Sequence, residues 1–116
     1  MEKIKTGNVN QLVTTENKSW IIGFSAQEPF RTDLFGLKWI SYKKGDKREP
    51  SKPNAETLTI LISGKFKNTF YDQDGKIIVD CIIEKQGDYI YFDKDIMHTW
   101  EALEDSLVIA LRWPSR

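Results

Sequence analysis

The chain has 116 residues, with one Cys, one His, and Lys plus Arg equal to Asp plus Glu at 17 each. A length of this order fits one domain, here residues 1–116. Zero net charge offers no broad footprint for nucleic acid or an anionic membrane, a lone Cys excludes an intrachain disulfide, and no apolar run is long enough to span a bilayer.

The start, Met1-Glu2-Lys3-Ile4-Lys5, lacks the apolar stretch of a signal peptide, so a cytoplasmic protein is expected. Only the first ten or so residues have room for a helical turn. Residues 11–15 read as a weak first strand. Residues 19–24 alternate, with Trp20, Ile22 and Phe24 on one face, and residues 34–42 alternate with Phe35, Leu37 and Trp39 together and Lys38 opposite. Residues 43–54 are polar and carry Gly45, Pro50 and Pro53, which predicts a loop. Its cluster of Lys43, Lys44, Lys47, Arg48 and Lys52 reads as a solvated face.

From Glu56 to Ser63 a strand is predicted, with Leu58, Ile60 and Ile62 on one face and Thr57, Thr59 and Leu61 on the other. Gly64 marks a kink before a strand at residues 65–71, and Asp72-Gln73-Asp74-Gly75 is a turn. Residues 76–84 follow, with Ile77, Val79, Cys81 and Ile83 expected on the core face. Residues 89–92 form another strand, residues 93–97 a loop before His98, and residues 106–113 are apolar on both faces, as suits a central strand ended by Pro114. About eight or nine short strands without helices predict an all-β sandwich or barrel.

Two segments carry the candidate chemistry. One runs from Gly45 through Pro50-Ser51-Lys52-Pro53-Asn54-Ala55-Glu56 to Gly64. The other runs from Gly87 through Asp93 and Asp95 to His98. Their layout resembles the two motifs of cupins, small double-stranded β-barrels of the jelly-roll type, and the resemblance covers about residues 34–113. It places the chain among small single-domain cupins known only as conserved proteins. The family usually holds a metal on three His and one Glu. Counting from Gly45 and Gly64 puts Ser51 and Pro53 on the first two His positions and Thr57 on the Glu. A shift of one residue puts Pro50 and Lys52 there, and Glu56 on the Glu. In both placements neither His is present, whereas His98 falls on the family's remaining His.

A catalytic divalent metal needs about three good protein ligands and an open position. This chain offers His98 and Glu56 at most, and an ammonium from Lys52 would repel a cation, so no metal and no cofactor are expected. The resemblance then implies a small polar ligand, a sugar or organic acid, bound in the barrel cavity by a module with a sensing or regulatory role. By the same resemblance, an alternative is a sugar isomerase or epimerase with His98 as acid–base, partnered by Glu56 or Tyr91. A second alternative is a metal-dependent oxygenase or isomerase with an atypical ligand set. Trp39 and Trp100 are candidate stacking surfaces for a ring, Lys52 a candidate contact, and the Arg112 guanidinium a candidate clamp for a carboxylate or phosphate. An ion pair of Arg112 with Asp88 or Glu101 is the competing expectation. A homodimer is expected, because exposed edges of so small a sheet need cover.

Overall fold

The computed structural model describes residues 3–115; Met1, Glu2 and Arg116 lie outside the described residues. Its eight strands are β1 (Trp20–Ile22), β2 (Gly36–Tyr42), β3 (Glu56–Ser63), β4 (Phe66–Tyr71), β5 (Ile77–Ile83), β6 (Tyr89–Phe92), β7 (Met97–Ala102) and β8 (Ser106–Trp113). They form a five-stranded sheet, ordered β1-β2-β8-β3-β6, and a three-stranded sheet, ordered β5-β4-β7. Every strand pairing is antiparallel. This two-sheet all-β jelly roll is the architecture expected from the strand pattern. No helix among the described residues is long and apolar enough to cross a membrane.

The N-terminal segment departs from the expected first strand. A short 3-10 turn at Val9–Gln11, capped by the Asn8 side chain, is followed by turns that Asn17 organises. The buried Asn17 carboxamide accepts from the backbone N–H groups of Thr14 and Ser19 and donates to the carbonyl of Leu12. These local bonds satisfy the backbone where a strand would need a neighbour.

The apolar core between the sheets is built from Leu61, Phe66, Phe70, Ile83, Ile90, Phe92, Ala102 and Val108. Leu61 is fully buried, and along β3 the same face continues through Thr59 to Thr57. The interior therefore takes the Thr57-Thr59-Leu61 set. Leu58 and Ile60, with Glu56 at the strand end, alternate onto the outer face, a choice the sequence had left open. Both alternating sets carry apolar side chains, so period 2 alone does not say which set turns inward. A second correction concerns β5, where only Ile83 of the expected core face is buried, while Ile77 is 62% and Val79 45% exposed. β5 is the free edge of the three-stranded sheet, and only its Ile83 end reaches the core.

β7 was not anticipated as a strand, because Met97-His98-Thr99-Trp100-Glu101 mixes polar and aromatic residues. Pairing of Phe70 with His98 and of Asn68 with Trp100 across β4 and β7 holds it in place. Beyond β7, the polar segment before β3 is a loop as predicted, but it is tied to that strand. Ser51 and His98 exchange two backbone bonds of 2.9 Å, and the Arg48 N–H donates to the carbonyl of Trp100. The Thr99 hydroxyl donates to the Arg48 carbonyl.

Candidate functional site

Between the sheets lies a cavity of about 280 Å³. The five-stranded sheet lines it with Lys38, Ile40 and Tyr42 of β2, Thr57 and Thr59 of β3, and Ala110 and Arg112 of β8. The other sheet supplies Phe66 and Asn68 of β4 with His98 and Trp100 of β7, and the loop before β3 closes one side with Arg48 and residues 51–55. Cross-strand register explains the grouping. Lys38 pairs with Ala110 and Arg112 pairs with Thr57, so the two cations lie on neighbouring rungs of one inner face.

Trp20 is the floor under that pair. The Arg112 guanidinium lies 4.1 Å and the Lys38 ammonium 5.6 Å from the centroid of its indole. A ring there needs a residue without a side chain opposite, and Gly36 provides it: a Cβ at Gly36 would come within 3.1 Å of the Trp20 ring. Cation–π contact of this kind holds a guanidinium flat without neutralising it.

His98 is 5% exposed, and its ring packs 4.5 Å from the ring of Phe92. Arg48 Nη2 lies 3.0 Å from His98 Nε2. A guanidinium only donates, so Nε2 accepts and the neutral imidazole carries its proton on Nδ1. Nδ1 is buried without a hydrogen-bond partner. Burial pushes the His98 pKa below the usual 6.5, and the Arg48 charge pushes it further; the backbone of Ile96 and Ser51 opposes this only weakly. Lys38 is lowered as well, first by burial and then by the charges of Arg48 and Arg112. Arg112 is lowered by burial, and its Nε is buried without a partner. The Tyr42 phenol is pushed up to about 12 by burial and remains a donor.

The lining carries four cationic residues, Lys38, Arg48, Lys52 and Arg112, and no carboxylate. Among the described residues the ion pairs join Lys65 to Glu84 and Lys67 to Glu101. The anticipated pairing of Arg112 with Asp88 or Glu101 is replaced by the Trp20 stack.

Of the sequence-derived candidates, His98, Lys52, Trp100 and Arg112 meet at the cavity wall. Glu56, Tyr91 and Trp39 stand apart from it. Glu56 Oε1 accepts from the Tyr91 hydroxyl at 2.6 Å and Oε2 from Trp113 Nε1 at 2.9 Å, a surface clamp across β6, β3 and β8. That bond to a carboxylate pushes the Tyr91 phenol up to about 12. Trp39 points away from the interior and donates from Nε1 to Asn10 at 2.9 Å. Missing from the candidates were Lys38, Arg48, Tyr42, Asn68 and the Thr57–Thr59 pair. The one available signal was parity: placing Arg112 inward also places Ala110 and Lys38 inward.

The donor set does not fit a metal. Ser51, Pro53, Thr57 and His98 all line the cavity, as the glycine-based placement requires, and they supply one imidazole and no carboxylate. No group of three or more His, Cys, Asp or Glu that could hold a metal ion occurs among the described residues. The single imidazole lone pair that faces the cavity is occupied by a guanidinium.

No protein-family model matches the chain, and no curated protein matches it. Solved structures do. KdgF from Halomonas sp. is 23% identical with a TM-score of 0.63, over 73% of this chain and 74% of that one. Oxalate decarboxylase from Bacillus subtilis is 20% identical with a TM-score of 0.63, over 72% of this chain and 22% of that much longer one. A cupin-2 domain containing protein from Shewanella frigidimarina is 13% identical with a TM-score of 0.57, over 71% of this chain and 72% of that one.

Proposed function

We propose that this chain, which has the cupin fold, is a metal-independent module that binds a small organic acid between its sheets and serves a sensing or regulatory role. The observation that carries this is the lining: four cationic residues without a carboxylate in an aromatic-walled cavity. Lys38 and Arg112 are half-buried, where charge is costly unless counter-charge arrives, while Arg48 and Lys52 stay exposed; no carboxylate of the described residues lies within ion-pair distance of these four. An anionic ligand supplies it, whereas a neutral sugar does not. Arginine forks and a protonated Tyr42 also match the planar acceptor geometry of a carboxylate.

The isomerase alternative asks His98 to accept and return a proton. Its Nε2 lone pair already accepts from Arg48, and the Glu56–Tyr91 pair bonds to itself outside the cavity. A positioning role for His98 therefore has the better support. The homodimer belongs to the same proposal, through the open β5 edge with its exposed Ile77, Ile78, Val79 and Ile82. Light scattering of Ile78→Lys/Ile82→Lys against wild type checks it, the pair of substitutions giving the mass of one chain.

A thermal-shift panel tests the ligand class. Small organic acids are expected to raise Tm at low salt and less so in high salt, with neutral sugars inert. Stabilisation by neutral sugars alone would refute the acid reading.

A further inference from the structure

We infer that Arg48, seated on His98, grips one carboxylate while Lys38 and Arg112 on the facing sheet grip a second, so that the ligand is a short dicarboxylate. This rests on the organic-acid reading above and goes further by naming the number and spacing of the acidic groups.

The first pole is anchored at His98, which is held by its backbone bonds to Ser51 and by the Phe92 ring; Arg48 is exposed, with its main chain bonded to Trp100. One guanidinium nitrogen is spent on His98 Nε2 at 3.0 Å, and the remaining donors of the fork have no protein partner among the described residues. Two donors side by side suit a planar carboxylate better than a spherical anion.

The second pole is on the opposite wall. The Arg112 guanidinium sits over Trp20, with Lys38 on the neighbouring rung and beside the same ring. Arg112 Nε is a buried donor without a partner, and the 3% exposed Asn68, which also lines the cavity, has its carboxamide oxygen unpaired. Buried polar atoms left unmade are costly, and a ligand that completes them recovers that cost. Turned about its last torsion, the Asn68 amide presents N–H groups to an anion instead.

The poles share one cavity, with Arg48, Lys38 and Arg112 all in its lining. Facing sheets lie about 10 Å apart between backbones, which leaves a span of a few carbon atoms between opposed side-chain tips. A cavity of about 280 Å³ lies just under the roughly 300–1,000 Å³ usual for small-molecule sites, which suits a short acid. A monoacid would satisfy one pole and leave the other bare.

The test is calorimetric titration of the full chain with succinate, glutarate, butyrate, inorganic phosphate and glucose, on wild type, Arg48→Gln, Lys38→Gln and Arg112→Gln. Succinate or glutarate is expected to bind at least about tenfold more tightly than butyrate, the value of one charge-assisted pair. Each variant should bring that ratio to near one while retaining butyrate binding. Lys38→Gln leaves the Arg112–Trp20 stack in place, so it tests the second pole even if Arg112→Gln unfolds. Equal binding of butyrate and the diacids, or phosphate binding above every carboxylate, would overturn the two-pole inference and leave an anion-binding cavity standing. Binding of glucose with no acid bound would overturn the organic-acid reading itself.

Discussion

At the scale of single residues, the Arg48–His98 contact determines how the site behaves with pH. The folded-state pKa of His98 is lowered below 6.5 by burial and by Arg48. The unfolded chain therefore binds more protons just below 6.5, so the stability tied to neutral His98 is present above that value and is lost as the pH falls through the folded pKa. Melting curves between pH 7.5 and 5.5 should show Tm falling on the acid side in wild type and falling less in His98→Gln, whose carboxamide oxygen can still accept from Arg48. Gly36→Ala pushes a methyl toward the Trp20 ring, 3.1 Å away. It is expected to tilt the floor beneath Arg112 and weaken acid binding several-fold, read by titration, with the strand pattern intact. Several site residues were legible as residue types: His98 by motif spacing, Arg112 by chemistry on a strand and Trp100 as a ring able to stack. Arg48 was not, because a Lys/Arg cluster in a Pro- and Gly-containing loop looks like a solvated face. It becomes a site residue only through the pairing of Ser51 with His98, which no local pattern encodes. Lys38 was hidden for a related reason, since a lysine between Leu37 and Trp39 is ordinarily the solvent side of a strand, and here the aromatic side faces out.

At the scale of elements, the β3–β4 corner shows why some signals were reliable. Gly64 has φ of +99°, and a Cβ there would lie 2.3 Å from the Asp105 carbonyl oxygen. No side chain fits both that backbone and that space, so a kink at this glycine was readable from sequence. Gly64→Ala is expected to cost at least about 2 kcal/mol in urea unfolding. The β3 inward face was less readable. Its polar threonines belong to a wet, cationic cavity and its apolar partners to the outer face, which inverts the usual assignment of apolar residues to the interior. Glu56 follows from that inversion. Its carboxylate ties Tyr91 to Trp113 on the outside, so Glu56→Gln should lower Tm by a few degrees while leaving acid affinity unchanged. Loss of ligand binding in Glu56→Gln would place this carboxylate in the site after all. β5 shows the opposite failure: a convincing apolar alternation lies at an edge, where there is no core left to face.

At the scale of the whole molecule, the all-β class and the central position of β8 follow from short alternating runs separated by turn residues and were legible, whereas the expected strand at residues 11–15 is absent and β7 was not foreseen. The core is small and depends on a few residues. Leu61 is fully buried in it, and Leu61→Ala should cost about 2–5 kcal/mol by denaturant unfolding. The cavity is a property of the assembled sheets, which bring cations from β2, β8 and one loop to face one imidazole from β7. That convergence is what the proposed binding of an acid rests on. The most direct test uses the fact that the chain contains one His. Nitrogen-15 NMR of His98 across pH, with and without one equivalent of Zn(II), reports its tautomer, its pKa and its access to metal together. The account predicts a neutral ring protonated on Nδ1, a midpoint below 6.5, and spectra unchanged by Zn(II). A midpoint at or above 6.5, or an imidazole signal moved by stoichiometric Zn(II), would contradict it.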